Sequence, residues 1–170
     1  MKINLGSANL SLILLASLAS TSVGLVSTFP TAVAQEQPSK CPLDQSTAVT
    51  FLHSECKAIT LKEPRKFYRY YDSNSKYKYG RYLTTNRYDS SFEVIRKLAL
   101  NQTWGNDAKF IETVTIPAGT TVYLGIAAPQ DPSRCYPGGG HQVFIQDSRD
   151  PKIIWSEGKA ISQVPPFTCQ

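Results

Sequence analysis

Histidine, the commonest general base, is scarce: the sequence has two, His53 and His141. A Ser-His-Asp or Cys-His nucleophile needs such a base at its side, and His53 lies in a stretch of helical spacing ahead of the strand-rich region. The four cysteines form no C-x-x-C pair, so the ligand sets of a zinc site are not assembled and no metal is expected. No Gly-Lys-Ser/Thr follows Gly138-Gly139-Gly140, so the glycine run is not a phosphate-binding P-loop. It is either a tight turn or a loop that lets a ligand touch backbone. Lys plus Arg reach 18 against 13 Asp plus Glu, but no dense basic run occurs. That excludes a nucleic-acid-binding stripe and leaves room for a small acidic ligand. No internal repeat is visible, which removes solenoids and arrays. Charged residues make up 18% and hydrophobic ones 41%, a balance that excludes a disordered chain.

Apolar runs of membrane-spanning length are also missing. Leu10–Ala16 is apolar, but Ser17, Ser20, Thr21 and Ser22 stop it short of the roughly 20 residues a span needs. Lys2 ahead of this core and Ala32-Val33-Ala34 behind it read as a signal peptide over residues 1–34, cleaved near Ala34. Pro38-Ser39-Lys40 before Cys41 is a poor lipidation context. The mature chain is therefore expected to be exported, secreted or periplasmic, with no membrane span. All four cysteines (Cys41, Cys56, Cys135, Cys169) lie beyond residue 34, and an even number in an oxidising compartment favours two disulfides. Three pairings are open on composition alone.

The 170-residue length suits one domain. Residues 35–62 read as a lead-in with a short helix: Leu43, Ala48, Phe51, Leu52 and Cys56 have loose helical spacing across Cys41–Lys57, and Pro42 suits a first turn. From residue 63 to 170 the pattern turns strand-rich. Phe67–Tyr71 and Lys76–Thr85 are strand candidates. Ser90-Ser91-Phe92-Glu93 is a capping box, opening a helix to about Leu100 with Phe92, Ile95, Leu98 and Ala99 on one face. Phe110–Ile116 and Thr120–Ala127 follow as strands around Pro117-Ala118-Gly119. After a long loop from Pro129 to Gly140 come short strands at Gln142–Gln146 and Ile153–Trp155. The expected fold is a small, disulfide-stabilised α+β domain, strand-rich with one main helix.

Several segments in order carry a resemblance. They are Tyr68-Arg69-Tyr70, Gly80-Arg81-Tyr82-Leu83-Thr84, Glu93-Val94-Ile95-Arg96 and Val114-Thr115-Ile116-Pro117-Ala118-Gly119-Thr120. Gly125-Ile126-Ala127-Ala128-Pro129-Gln130 and Gly138-Gly139-Gly140-His141-Gln142-Val143-Phe144 complete the series. Over about Phe67–Phe144 this resembles the secreted NAD glycohydrolase toxin domains of the tuberculosis necrotizing toxin type, within the ADP-ribosyltransferase superfamily. The resemblance implies NAD or NADP as substrate, no other cofactor, and an immunity protein as partner. It implies catalytic roles for Gln142 and Arg69 and substrate contacts at Arg96, Tyr82, Thr84, Gly139 and Gly140. Guanidinium forks suit phosphate oxygens; read without the resemblance, either arginine is a surface charge and the tyrosines are strand packing. The family's strand histidine before the proline-containing turn has no counterpart in Lys109–Ile116. His141 sits beside Gln142 and is not assumed to replace it, because neighbouring strand residues face opposite ways.

Nicotinamide leaves NAD as a neutral molecule through an oxocarbenium-like transition state, so no strong acid is required. Two alternatives stand beside hydrolysis. A protein ADP-ribosyltransferase usually places a glutamate where Gln142 stands and an acid two residues earlier, where this chain has Gly140. A non-catalytic NAD-binding module would account for the absent histidine. For the cysteines we expect Cys135 to pair with Cys169 and Cys41 with Cys56, each bridge fastening a segment without strong structure of its own. Fifteen helical steps would hold Cys41 and Cys56 roughly 22 Å apart, so their pairing demands a break between Leu43 and Phe51.

Overall fold

The computed structural model describes residues 40–73 and 77–169, and the expected leader over residues 1–34 lies outside the described residues. Two antiparallel sheets carry the fold. Strands β1 (Phe51–Thr60), β5 (Thr121–Ala127), β6 (His141–Ile145) and β3 (Tyr82–Leu83) form the first, in the order β1-β5-β6-β3. Strands β2 (Arg65–Tyr71), β4 (Phe110–Ile116) and β7 (Ile154–Trp155) form the second, with β8 (Lys159–Ala160) also on β4. The helices are α1 (Gln45–Ala48) and α2 (Ser91–Lys97). The domain is thus a strand-rich α+β fold with one main helix and two disulfides.

Period-two alternation builds the core between the sheets. Phe67, Val114 and Ile116 from the second sheet meet Val122, Val143 and Ile145 from the first, all essentially inaccessible to solvent. The opposite face of the first sheet presents Tyr123 and Phe144, which pack with Ala48, Phe51 and the Cys41–Cys56 bridge. The sheets are stitched together at Tyr68 and Thr84, whose backbones exchange hydrogen bonds of 2.8 and 2.9 Å. Pro117–Gly119 turns the chain between strands of different sheets, since β4 pairs with β2 and β5 with β1 and β6. Ser90 caps α2 by accepting from the Glu93 amide at 3.3 Å, a cap that typically contributes about 1 kcal/mol.

Three expectations need correction. The helical spacing across Cys41–Lys57 yields only the four-residue α1, and Phe51–Thr60 is a strand. His53 and Ser54 adopt positive φ (58° and 57°) within it, and the register with β5 shifts between Phe51 and Cys56. This bulge interrupts the alternation that would have announced a strand. The Lys76–Thr85 candidate reduces to the two residues of β3, with a turn at Tyr77–Tyr79. Arg69 takes the main-chain carbonyls of Tyr77 and Tyr82, which a ladder would otherwise use. Helix α2 also stops at Lys97, three residues short of Leu100, because Ala99 turns left-handed at φ 48°.

The structure bonds Cys41 to Cys56 and Cys135 to Cys169, with Cα separations of 4.5 and 5.3 Å. The chain breaks direction after Ala48 and re-enters as β1, which brings the first pair together. The second pair ties the C-terminal segment to the loop after β5. There Cys135 and Tyr136 pack with Ile95 and Ala99 of the α2 region, and Phe167 stacks on Tyr136. Among the described residues no helix is long and apolar enough to cross a membrane.

Candidate functional site

A cleft of about 290 Å³ opens where α2, β2, the turn before β3 and the end of β6 meet. Its lining is mainly aromatic and aliphatic: Tyr68, Tyr70, Tyr77, Tyr82 and Trp104, with Val94 and Leu98 from the helix region. The polar side chains are few, namely Gln142, Thr50, Asn106, Gln130 and Arg69 among them. An apolar pocket with a small number of placed polar groups is the usual form of a small-molecule site. Among the described residues no carboxylate or imidazole lines this one.

Gln142 reaches the cleft by strand geometry. It shares a face of β6 with Phe144, whereas Val143 packs between the sheets. Its Nε2 donates to the Thr50 carbonyl at 3.1 Å and to the Thr50 hydroxyl at 3.0 Å. A carbonyl can only accept, so this contact fixes the amide orientation and leaves Oε1 as the acceptor Thr50 does not use. Thr50 is itself held, its hydroxyl donating to Thr47 O at 2.7 Å and its carbonyl accepting from the Ala128 amide at 2.9 Å. Gln142 is buried, while His141 is exposed on the other face with Nδ1 3.0 Å from the Thr85 hydroxyl.

Arg69 also lines the cleft, and its environment is unusual. Nε and Nη2 both donate to Tyr77 O, at 3.2 and 2.8 Å, and Nη1 donates to Tyr82 O at 2.9 Å. Directly across the β2–β4 ladder stands Glu112, 2% exposed, with neither carboxylate oxygen hydrogen-bonded among the described residues. Lys78 Nζ lies 3.8 Å from Glu112 Oε2. Burial pushes the Arg69 guanidinium down to about 10, against the pull of Glu112. Burial likewise pushes the Glu112 carboxyl up to about 7, with Lys78 and then Arg69 opposing. Deeper in the cleft, burial raises the Tyr70 phenol to about 12, so it stays protonated and donates to Tyr88 O at 3.1 Å.

Gln142, Arg69 and Tyr82 therefore converge on one cleft, and the other four expected residues lie apart from its lining. Arg96 points along α2, donating to Arg134 O at 3.2 Å and lying over the Phe92 ring. Thr84 is fully buried, its hydroxyl donating to His141 O at 2.6 Å within the first sheet while its backbone bonds Tyr68 of the second. Gly139 N donates to Ala127 O at 2.9 Å and Gly140 N to Lys97 O at 2.8 Å. A Cβ on Gly140 would sit 2.7 Å from Lys97 O, so the glycine loop serves close packing of backbone against α2. Thr50, Asn106 and Trp104 were not singled out from the sequence. Trp104 did carry a signal, a large aromatic in the polar loop Asn101–Asp107 that is 52% exposed in the fold.

Among the described residues no group of three or more His, Cys, Asp or Glu side chains is placed to hold a metal ion. No family model matches the sequence, and no curated protein matches it. Among solved structures the fold is similar to that of Tne2 in its complex with Tni2. The TM-score is 0.53 at 16% identity, over 62% of this chain and 92% of Tne2. At that identity the likeness is one of fold.

Proposed function

We propose that this chain is a secreted NAD glycohydrolase, converting NAD and water to ADP-ribose, nicotinamide and a proton. The observation that carries the reading is Gln142, buried at the wall of an aromatic cleft with its amide nitrogen locked by Thr50. Oε1 is then an acceptor with fixed direction, suited to a ribose hydroxyl, and a preorganised polar group needs no reorganisation as charge develops. Tyrosine and tryptophan faces suit the planar nicotinamide and adenine rings. The neutral leaving group is compatible with a cleft lined, among the described residues, by no carboxylic acid. The order of segments along the chain supports the same reading, and so does a fold similar to that of Tne2. Two disulfides suit an oxidising, secreted or periplasmic setting. The reading extends to an immunity protein as partner; Tne2 was solved with Tni2 bound.

The test is nicotinamide release from NAD and from NADP by the oxidised chain at micromolar concentration. Turnover above buffer supports the proposal, and none with either dinucleotide rejects it. One observation favours a second reading, a binding module without turnover: among the described residues neither histidine nor carboxylate lines the cleft. Calorimetry separates the two, since NAD binding without nicotinamide release marks the module. Transfer of ADP-ribose to protein is less supported, because the position two before Gln142 is Gly140 and no base stands there.

A further inference from the structure

Arg69 makes its contacts inside the protein, and this bears on its role. Its side-on fork, Nε with Nη2, closes on a single acceptor, Tyr77 O, and Nη1 takes Tyr82 O. A phosphate would need such a pair of parallel donors. Turning them toward a ligand would leave two main-chain carbonyls in the cleft wall without these bonds. The backbone of Gly80 lies flat against the same guanidinium. A Cβ there would stand 2.3 Å from Nη2 and 2.5 Å from Cζ, so only glycine at this position leaves the arginine its place. Behind Arg69, Glu112 supplies a buried counter-charge from the neighbouring strand, joined by Lys78 from the turn itself.

These contacts converge on one segment. Tyr77 and Tyr82, whose carbonyls Arg69 holds, both present side chains to the cleft. Tyr77 passes the restraint on, donating its hydroxyl to Trp104 O at 2.7 Å. We propose that Arg69 is a positioning residue: backed by Glu112, it braces the Tyr77–Tyr82 segment, and through Tyr77 the Trp104 loop, as the aromatic wall of the cleft. The kinetic part of this inference rests on the NAD glycohydrolase reading; the structural part does not. On this account Arg69 acts on the substrate through the tyrosines and Trp104, with no bond of its own to the phosphates.

The sequence has two tryptophans, so a Trp155→Phe background leaves Trp104 as the single reporter of that wall. Three variants are placed in it: Arg69→Lys, Gly80→Ala, which displaces the guanidinium without changing its charge, and Tyr77→Phe, which removes the hydroxyl that donates to Trp104 O. Fluorescence anisotropy decay is read without any nucleotide. Bracing predicts that all three enlarge the fast component of Trp104 motion roughly two-fold while far-UV circular dichroism stays unchanged. With NAD, KM should rise roughly 10-fold in Gly80→Ala and Tyr77→Phe, as misplaced contact groups weaken binding and orientation. An arginine that simply grips phosphate predicts something else: higher KM in Arg69→Lys, and Trp104 motion the same as in the parent in all three. That outcome overturns the inference. Tyr77→Phe keeps ring and backbone, so the test stands even where Arg69→Lys fails to fold. If the parent releases no nicotinamide, the functional reading falls, and the anisotropy measurement still decides the bracing.

Discussion

The two polar walls of the cleft solve the same problem in different ways. On the β6 side, Gln142 is neutral, and both of its amide hydrogens find oxygens of Thr50. On the β2 side, Arg69 is satisfied by two main-chain carbonyls, but Glu112 behind it is buried with no hydrogen bond to either oxygen among the described residues. A satisfied neutral group fixes geometry at every ordinary pH. A buried carboxylate held by charge alone makes its wall depend on protonation, because hydrogen bonds, not charge, are what a desolvated carboxylate most lacks. The difference is between a wall built for constancy and one whose stability moves with pH.

The largest effect should come from cutting the staple that leads into the Gln142 wall. Cys135–Cys169 closes a 34-residue separation and Cys41–Cys56 a 15-residue one. Chain entropy then predicts losses of about 4 and about 3 kcal/mol on replacing each pair by alanine. Urea unfolding should show that order, and partial reduction of Cys135–Cys169 should lower nicotinamide release before the sheets unfold. Equal losses from the two pairs would remove the special place given to the longer loop. Next in size, Gln142→Ala should cut kcat by about 100-fold, the scale of losing one preorganised polar group at a reacting centre. Its thermal midpoint should stay near that of the parent; full activity in this variant would detach Gln142 from the chemistry.

A smaller effect should separate the walls by pH. The folded Glu112 carboxyl lies near 7, above its ordinary 4.5. Between those values the native state keeps a proton that the unfolded chain releases, so stability is greatest below the window and falls as pH rises through it. The charged or titratable groups around it are Arg69, Lys78 and the Tyr71 phenol, which burial and then Glu112 raise. Glu112→Gln should remove this slope and, relative to the parent, gain about 2 kcal/mol between pH 5 and pH 8. Denaturant titrations at the two pH values read it directly, and parallel slopes in parent and variant would show Glu112 to be solvated. The smallest effect concerns Thr50→Val, which keeps one of the two partners of Gln142. A loss of roughly 5-fold in kcat is expected, with little change in stability, as for one hydrogen bond of about 1 kcal/mol.

Legibility followed local composition and periodicity. Phe110–Ile116 and Thr121–Ala127 are β-rich around a Pro-Ala-Gly turn and are strands, and the Ser90–Glu93 box does start the main helix. Phe51–Thr60 was legible only as a helix, because the bulge at His53 and Ser54 puts its apolar residues out of step with a strand. Tyr77 and Tyr79 alternate with Lys76 and Lys78 well enough for a strand, yet Arg69 holds the Tyr77 carbonyl in a turn and only Tyr82–Leu83 pairs as a strand. In the site, Gln142, Arg69 and Tyr82 share the cleft, whereas Arg96, Thr84, Gly139 and Gly140 serve packing around it. No pattern in the chain distinguishes an arginine aimed at solvent from one closed on its own backbone.

The sequence by itself determined the alternating strands, the helix start and its cap, and the side of β6 on which Gln142 falls. Each of these depends on residues within a few positions of one another, where backbone period and local hydrogen bonds decide. Only the tertiary structure decided that Thr50, 92 residues from Gln142, would lock its amide. It alone placed Glu112 opposite Arg69, 43 positions further along the chain, and brought Trp104 to the mouth of the same cleft. Those pairings come from strand register and loop closure across the whole fold. They are set by which apolar faces can be buried together, which no short window of sequence contains.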